Sequence, residues 1–458
     1  MRKMIINHPF EIPIREGLLK FINEKFKDNN TLIYKRKTLK KDLIIYLMFY
    51  LVRLTKEEGN YIHLQSKLLK KNFLDNYKPY LSFWEDHNFI IQIRNYSVGN
   101  NANAYGITNE YYDFQKRCVR YRITDTNLLS KINYNNSGLT ELRLKKNKES
   151  KIRRKHLVKH FDNNLEINVD EAYKEIAGLD NRKYDANSRL IEEYQSKKWR
   201  YSIKESTDDR LHTVICRTNK NLLKHIVYNK QKLGEIDFKT SQPLFLYITL
   251  KTIFIGSMDN EVGAFLKKKL GTELLEKIQK KGIDLQELNN FGDIIINKDL
   301  YNYLCENLSS KKSSEGYFYY YSRKEKRKIC FENKRDLMKV VMMRTLYSGN
   351  KGNDAHVNHV KELFISIFEI VKVINENKKL SESKNNLSHV LQSIEAHIIL
   401  DLIAKDVSEE FKEIPLFSKH DSLITYNSSI DEVKTFIQCR FENYTGTNGQ
   451  NILKSESW

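Results

Sequence analysis

At 458 residues the chain is long enough for two or three domains and a large core. Hydrophobic residues at 40%, charged residues at 30%, and only 5 prolines and 17 glycines describe a helix-rich globular protein and exclude long low-complexity linkers. A formal net charge of +20, from 78 Lys and Arg against 58 Asp and Glu, points to a polyanionic partner, nucleic acid before membrane, although an AT-rich gene encodes the same lysine bias. The cysteines Cys118, Cys216, Cys305, Cys330 and Cys439 are scattered without a Cys-x-x-Cys pair, which argues against zinc and against a disulfide framework. The first residues carry no apolar core of signal-peptide length and no run approaches a membrane span, so a reducing cytoplasm is expected and no membrane partner.

In chain order, Lys40 to Thr55 is strongly apolar and predicts a buried helix; Tyr61–Leu64 reads as a short strand. Ser66 can cap a helix through Leu74, and Lys78 to His87 continues the helical period. Phe89–Ile93 and Ala104–Thr108 read as strands around a Gly99-Asn100-Asn101 turn. Helix, helix and two-stranded ribbon is the order of a winged helix-turn-helix, so residues 1–115 are expected to form a winged-helix-like nucleic-acid-binding domain, with Lys67, Lys70 and Lys71 on its helix. The bland alternative is a small α+β domain docked on its neighbour.

Glu141 to His160 crowds Arg143, Lys145, Lys146, Lys148, Lys151, Arg153, Arg154 and Lys155 together. It reads either as a solvated helix surface or as a linker that tracks phosphates. Farther on, Lys311 to Lys328 sets Tyr317, Phe318, Tyr319, Tyr320 and Tyr321 beside Arg323, Lys324, Lys326 and Arg327. Aromatics beside cations suit stacking on a single strand; a packed strand followed by a basic helix start has the same look.

Leu233 to Pro243 reads as a strand entering a turn, with Asp237 near its end and the apolar helix Leu244–Ile255 after it. An Asp at a strand-to-helix junction can bind a divalent cation or simply cap the helix. Arg335, Lys339, Met343 and Tyr347 follow at intervals of four, so one helix face carries two cations, an apolar residue and a ring, and Ser348-Gly349 suits a C-terminal cap. Such a face suits a nucleoside triphosphate. His420-Asp421-Ser422 sits where a hairpin turn would place a second carboxylate at a tip, Leu423–Tyr426 continues as a strand, and Ile430–Cys439 reads as a helix. Two carboxylates from separate elements are a usual holder of paired Mg²⁺ ions in phosphoryl transfer.

These stretches, in this order, resemble the motifs of the family A DNA polymerases and of the single-subunit, phage-type RNA polymerases, over roughly residues 205 to 440. The resemblance implies a right-hand polymerase fold, α+β and helix-rich, with palm, fingers and a thumb-like region. Residues 116–204 would be a basic helical linker or thumb-like region, and 205–458 the palm and fingers catalytic domain. It implies that Asp237 and Asp421 are the metal-binding carboxylates for two Mg²⁺ ions (or Mn²⁺), with His420 as the usual neighbour of the second. Arg335 and Lys339 would bind the triphosphate, Lys339 would also protonate pyrophosphate, and Tyr347 would lie under the nascent pair. Arg210, in Asp209-Arg-Leu-His-Thr213, matches an Arg that touches primer-template, and Gln392, with Glu395 on the same helix, resembles a Gln that contacts template.

The sugar is left open. Met343 at the eighth place after Arg335 and the His-Asp-Ser order resemble the RNA polymerases. Gln242, five residues after Asp237, stands where DNA polymerases carry a Glu that crowds a ribose 2′-hydroxyl. The implied function is template-directed nucleotidyl transfer from nucleoside triphosphates onto a DNA template or primer-template, in a mobile element, phage or plasmid. The alternative is a DNA-binding replication or regulatory protein with an inactive palm; a nuclease comes third, because it leaves the triphosphate face unexplained.

Overall fold

The computed structural model describes residues 10–54, 61–94 apart from scattered positions between 65 and 75, 103–113, 117–197, 199–203, 208–310, 316–322, 327–347, 355–377 and 386–458. Lys67, Lys71, the turn at 99–101, the tip at 323–326 and Ser348-Gly349 lie outside those residues. Helices dominate, interleaved with short antiparallel sheets, so the chain is α+β and helix-rich. It divides into two compact units, and residues 116–204 are shared between them rather than forming a region of their own.

The first unit comprises residues 1–145, 166–199 and 217–225. Its core forms around the Lys41–Leu54 helix, where Leu43, Ile44, Leu47, Met48 and Leu51 are buried. Trp84, fully buried on the Lys78–Asp86 helix, donates its indole N–H to the Ile44 carbonyl at 3.2 Å. Tyr61–Leu64 and Ile90–Arg94 both pair antiparallel with Asn103–Ile107, so a three-stranded sheet stands where the ribbon was expected. Phe10–Arg15 pairs with Cys118–Ile123, which carries this unit past residue 115. Arg15, fully buried, binds Asp185 at 2.6 Å, an ion pair sequence spacing could not show.

The second unit comprises residues 146–165, 200–216 and 226–458. Its central strand, Gln231–Phe238, has Ser422–Tyr426 antiparallel on one side and Leu453–Ser457 antiparallel on the other. Ile236 and Phe238 point into the core while Glu235 and Asp237 remain half-buried, the alternation a one-sided sheet requires. Gly234 is demanded by packing: a Cβ there would meet Ile430 Cδ1 at 2.3 Å and the Glu456 carbonyl at 2.8 Å. After a Thr240 in left-handed conformation the chain enters the Ser241–Phe254 helix, buried on nearly all sides and so the spine of this core.

Asn386–Ala396 continues through a π-helical segment, His397–Ile403, into Ala404–Glu410. Leu387–Glu410 is, by length and composition alone, apolar enough to cross a membrane, contrary to the expectation that no run is; 67% of its 18-residue apolar window is buried within the protein.

Candidate active site

Two carboxylates meet at the end of the central strand. Asp237 lies directly across from Ser422, and Asp421 is the residue before Ser422, so strand register places Asp421 beside Asp237. Lys419 pairs with Ser422, which leaves His420 and Asp421 as the two turn residues. His420 takes φ +56, left-handed backbone in which His, with Asn and Asp, is enriched among residues other than Gly. On the other edge Asp237 faces Lys454, whose Nζ is 2.8 Å from Oδ2. Burial raises the Asp237 pKa above the usual aspartate range; the Lys454 hydrogen bond opposes this and the Asp421 charge adds to it. Burial and the Arg210 charge hold the His420 imidazole below its ordinary value, against the pull of Asp421.

The Lys334–Tyr347 helix starts at Asn333, whose Oδ1 accepts the Asp336 N–H at 2.8 Å. It packs through Leu337, Met338, Val341, Met342, Thr345 and Leu346. The face left over carries an open groove lined by Lys339, Val340, Met343, Arg344 and Tyr347. Both cations of this face hold acidic partners within the chain: Arg335 reaches Asp299 at 2.6 Å and lies 5.3 Å from the Tyr301 ring centre, and Lys339 reaches Asp336 at 2.7 Å. These pairs are about 40% exposed, so a stronger polyanion can displace them.

Glu395 joins the carboxylate strand to this helix. Its Oε1 accepts from Arg210 Nε at 2.7 Å, and its Oε2 accepts from Ser241 Oγ and from Gln242 Nε2, each at 2.6 Å. Gln242 Oε1 in turn accepts from the Tyr347 hydroxyl. Burial pushes the Glu395 carboxyl up to about 7, with Arg210 pulling it down and Asp421 pushing it further up. Burial also raises the Tyr347 hydroxyl. Arg210, assigned to nucleic acid from sequence, is thus engaged inside the protein, with 15% of its side chain exposed. Gln392 is half-buried one turn before Glu395.

Part of the basic run is not a phosphate surface. Arg154 is fully buried with its Nε 2.8 Å from Asp401, and Arg153 reaches the same carboxylate at 3.0 Å. A buried guanidinium spent on an internal carboxylate cannot track a strand, so that expectation fails at Arg154, whereas Arg153 stands at the surface.

Sequence reading missed Lys454, Asp299, Tyr301 and Ser241, and named Glu395 without its partners. Lys454 left no signal, because only the register of the Leu453–Ser457 strand sets it against Asp237.

Asp237 and Asp421 are the acidic pair available to a divalent cation; among the described residues no group of three or more His, Cys, Asp or Glu could hold a metal. That donor set still fits Mg²⁺, which commonly takes one or two carboxylates and completes its shell with water and substrate phosphates.

No family model matches the chain, and no curated protein matches it. Among solved structures it is similar to the POL domain of Pol1 from M. smegmatis, in complex with DNA primer-template and dNTP, at 9% identity and a TM-score of 0.24. That likeness covers 63% of this chain and 54% of the other, so the chain spans about half the length of that domain. At that TM-score the likeness adds nothing to the residue geometry.

Proposed function

We propose that the protein is a template-directed nucleotidyltransferase of right-hand, palm-and-fingers type, acting on DNA in a reducing cytoplasm. The observation that carries this reading is the register that sets Asp421 beside Asp237 across adjacent strands, in a unit whose Lys334–Tyr347 helix presents Lys339, Met343 and Tyr347 along one groove. Bound divalent ions would activate the attacking hydroxyl and stabilise the leaving oxygen. Asp237 and Asp421 would hold two Mg²⁺, with Mn²⁺ as a substitute. The chain's own residues do the rest. Lys339 and Arg335 exchange Asp336 and Asp299 for the triphosphate, Lys339 supplies a proton to the departing pyrophosphate, and Tyr347 supports the base. Gln242 stands beside the sugar, and His420, Arg210 and Gln392 line the approach of the primer-template. The 1–115 segment would act as a winged-helix-like DNA contact.

The test is primer extension on a primed DNA template with Mg²⁺, running dNTPs and rNTPs separately. Extension is expected with at least one set, and Asp237→Ala and Asp421→Ala should each abolish it while DNA binding survives. Undiminished extension by both variants would sink the metal assignment.

One observation favours a second reading, a DNA-binding replication or regulatory protein without synthesis: Asp237, Arg335 and Lys339 are each in an ion pair within the chain. Steeply salt-dependent DNA binding with no incorporation on any template would select it.

A further inference from the structure

The tyrosine-rich segment before the candidate nucleotide helix folds as a hairpin of two strands, Phe318–Ser322 and Arg327–Phe331, so the helix start expected after the first strand is instead a second strand. Its register is Tyr319 to Cys330, Tyr320 to Ile329 and Tyr321 to Lys328. Paired residues share a face, and successive residues alternate. One face is therefore Phe318, Tyr320, Ile329 and Phe331. It is used for packing: the Tyr320 and Phe331 rings stack at 5.9 Å, and Arg344 of the neighbouring helix sits 4.5 Å from the Tyr320 ring centre.

The other face carries Tyr319, Tyr321, Lys328 and Cys330, and Tyr317 precedes it at the same two-residue spacing. Tyr321 is 54% exposed and Tyr317 40% exposed, and Lys328 and Cys330 are exposed. Lys328 Nζ lies 4.4 Å from the Tyr319 ring centre. Rings on alternate strand residues recur about every 6.6–6.8 Å. That is roughly twice the 3.4 Å base repeat of a stacked strand. Such a ladder suits a strand whose bases are spread apart, and not a duplex whose bases are already stacked on one another.

We infer that the outward face of this hairpin, Tyr317, Tyr319 and Tyr321 with Lys328, is a docking site for single-stranded nucleic acid, read through base stacking and one phosphate contact. Two observations select that occupant. The face offers π surfaces, which every base can stack on without sequence preference. It offers a cation already poised over a ring, within a chain of net charge +20. The inference does not depend on polymerase activity.

The test is fluorescence anisotropy of the full chain with labelled single-stranded DNA, single-stranded RNA and duplex DNA of equal length. Tyr319→Ala/Tyr321→Ala should weaken single-strand binding by roughly tenfold or more, whereas Tyr319→Phe/Tyr321→Phe, which keeps the rings, should stay within about twofold. Lys328→Gln should lower the slope of log affinity against log salt by about 0.7. Preference between the DNA and RNA arms identifies which strand the face serves. In the unaltered protein, a saturating single strand should slow alkylation of Cys330, the direct partner of Tyr319, and leave Cys439 untouched; this reading stands even if the alanine variant misfolds. Full affinity in the alanine variant, equal losses for alanine and phenylalanine, a tyrosine dependence as large for duplex, or an unprotected Cys330 would each overturn the inference.

Discussion

The Tyr347 hydroxyl donates to Gln242 Oε1, and the Gln242 amide N–H is held 2.6 Å from Glu395. The carboxylate fixes which end of the amide faces the tyrosine, because only Nε2 can donate to Glu395 and only Oε1 can accept from Tyr347. Gln242 is thereby held at one orientation between the Lys334–Tyr347 helix and Glu395. Gln242→Gly should raise the ratio of rNTP to dNTP incorporation by roughly tenfold or more, the scale of one lost contact in a specificity pocket. Tyr347→Phe, which leaves the amide oxygen without its donor, should shift the same ratio in the same direction. Competition assays with paired nucleotides read both, and an unchanged ratio in Gln242→Gly removes that residue from sugar selection.

Glu395 makes stability fall as pH rises. Its carboxyl is raised from 4.5 to about 7 in the folded protein, so between those values the folded state binds the extra proton. Stability is therefore fully present below about pH 4.5 and is lost as pH climbs through about 7. Urea midpoints across pH 4.5 to 8 should show this decline, and Glu395→Gln, which has no proton to lose, should flatten it. The same slope in the variant would assign it to another group.

Lys454 stands on Asp237 as a built-in cation, and its side chain is 61% exposed. A positive charge there competes with a divalent ion, though solvent weakens it. Lys454→Met should tighten Mn²⁺ binding, read by electron paramagnetic resonance of the free ion, by roughly 1.5- to 5-fold, the equivalent of about 0.2–1 kcal/mol for an exposed pair. Weaker binding would mean that the lysine instead positions Asp237 for the metal.

Arg154 should matter for stability and not for nucleic acid. Removing one partner of a buried ion pair strands the other, so Arg154→Met should destabilise by about 3–5 kcal/mol. Thermal unfolding measures this, and single-strand affinity at a temperature where the variant is folded should be unchanged. A large loss of affinity in the folded variant would restore this part of the basic run to a phosphate-binding role.

Much of the local structure was legible from residue pattern. The apolar run from Lys40, the strand ending at Asp237, the four-residue spacing from Arg335 to Tyr347 and the His420-Asp421 turn all follow from periodicity and turn position. The cations were harder to read. Arg154 and Arg153 belong to one basic run in sequence, yet both pair with Asp401, some 250 residues later, and Arg154 is buried there. Arg210 likewise matched an Arg that touches primer-template, and its partner Glu395 lies 185 residues on. A charge in a sequence carries no record of its partner, and partners far apart in the chain are set only by packing.

The sequence by itself determined which residue types were available and on which face of each helix or strand they fall, because helical and strand periods are local geometry. It supplied two aspartates, a cationic helix face and a ladder of tyrosines. Tertiary structure decided which of them meet. The pairing of the central strand with Ser422–Tyr426 and Leu453–Ser457 set Asp421 and Lys454 on either side of Asp237. Burial of Glu395 among Arg210, Ser241 and Gln242 made that acid the link between strand and helix. Pairing register and burial depend on elements more than two hundred residues away, and no local spacing encodes them.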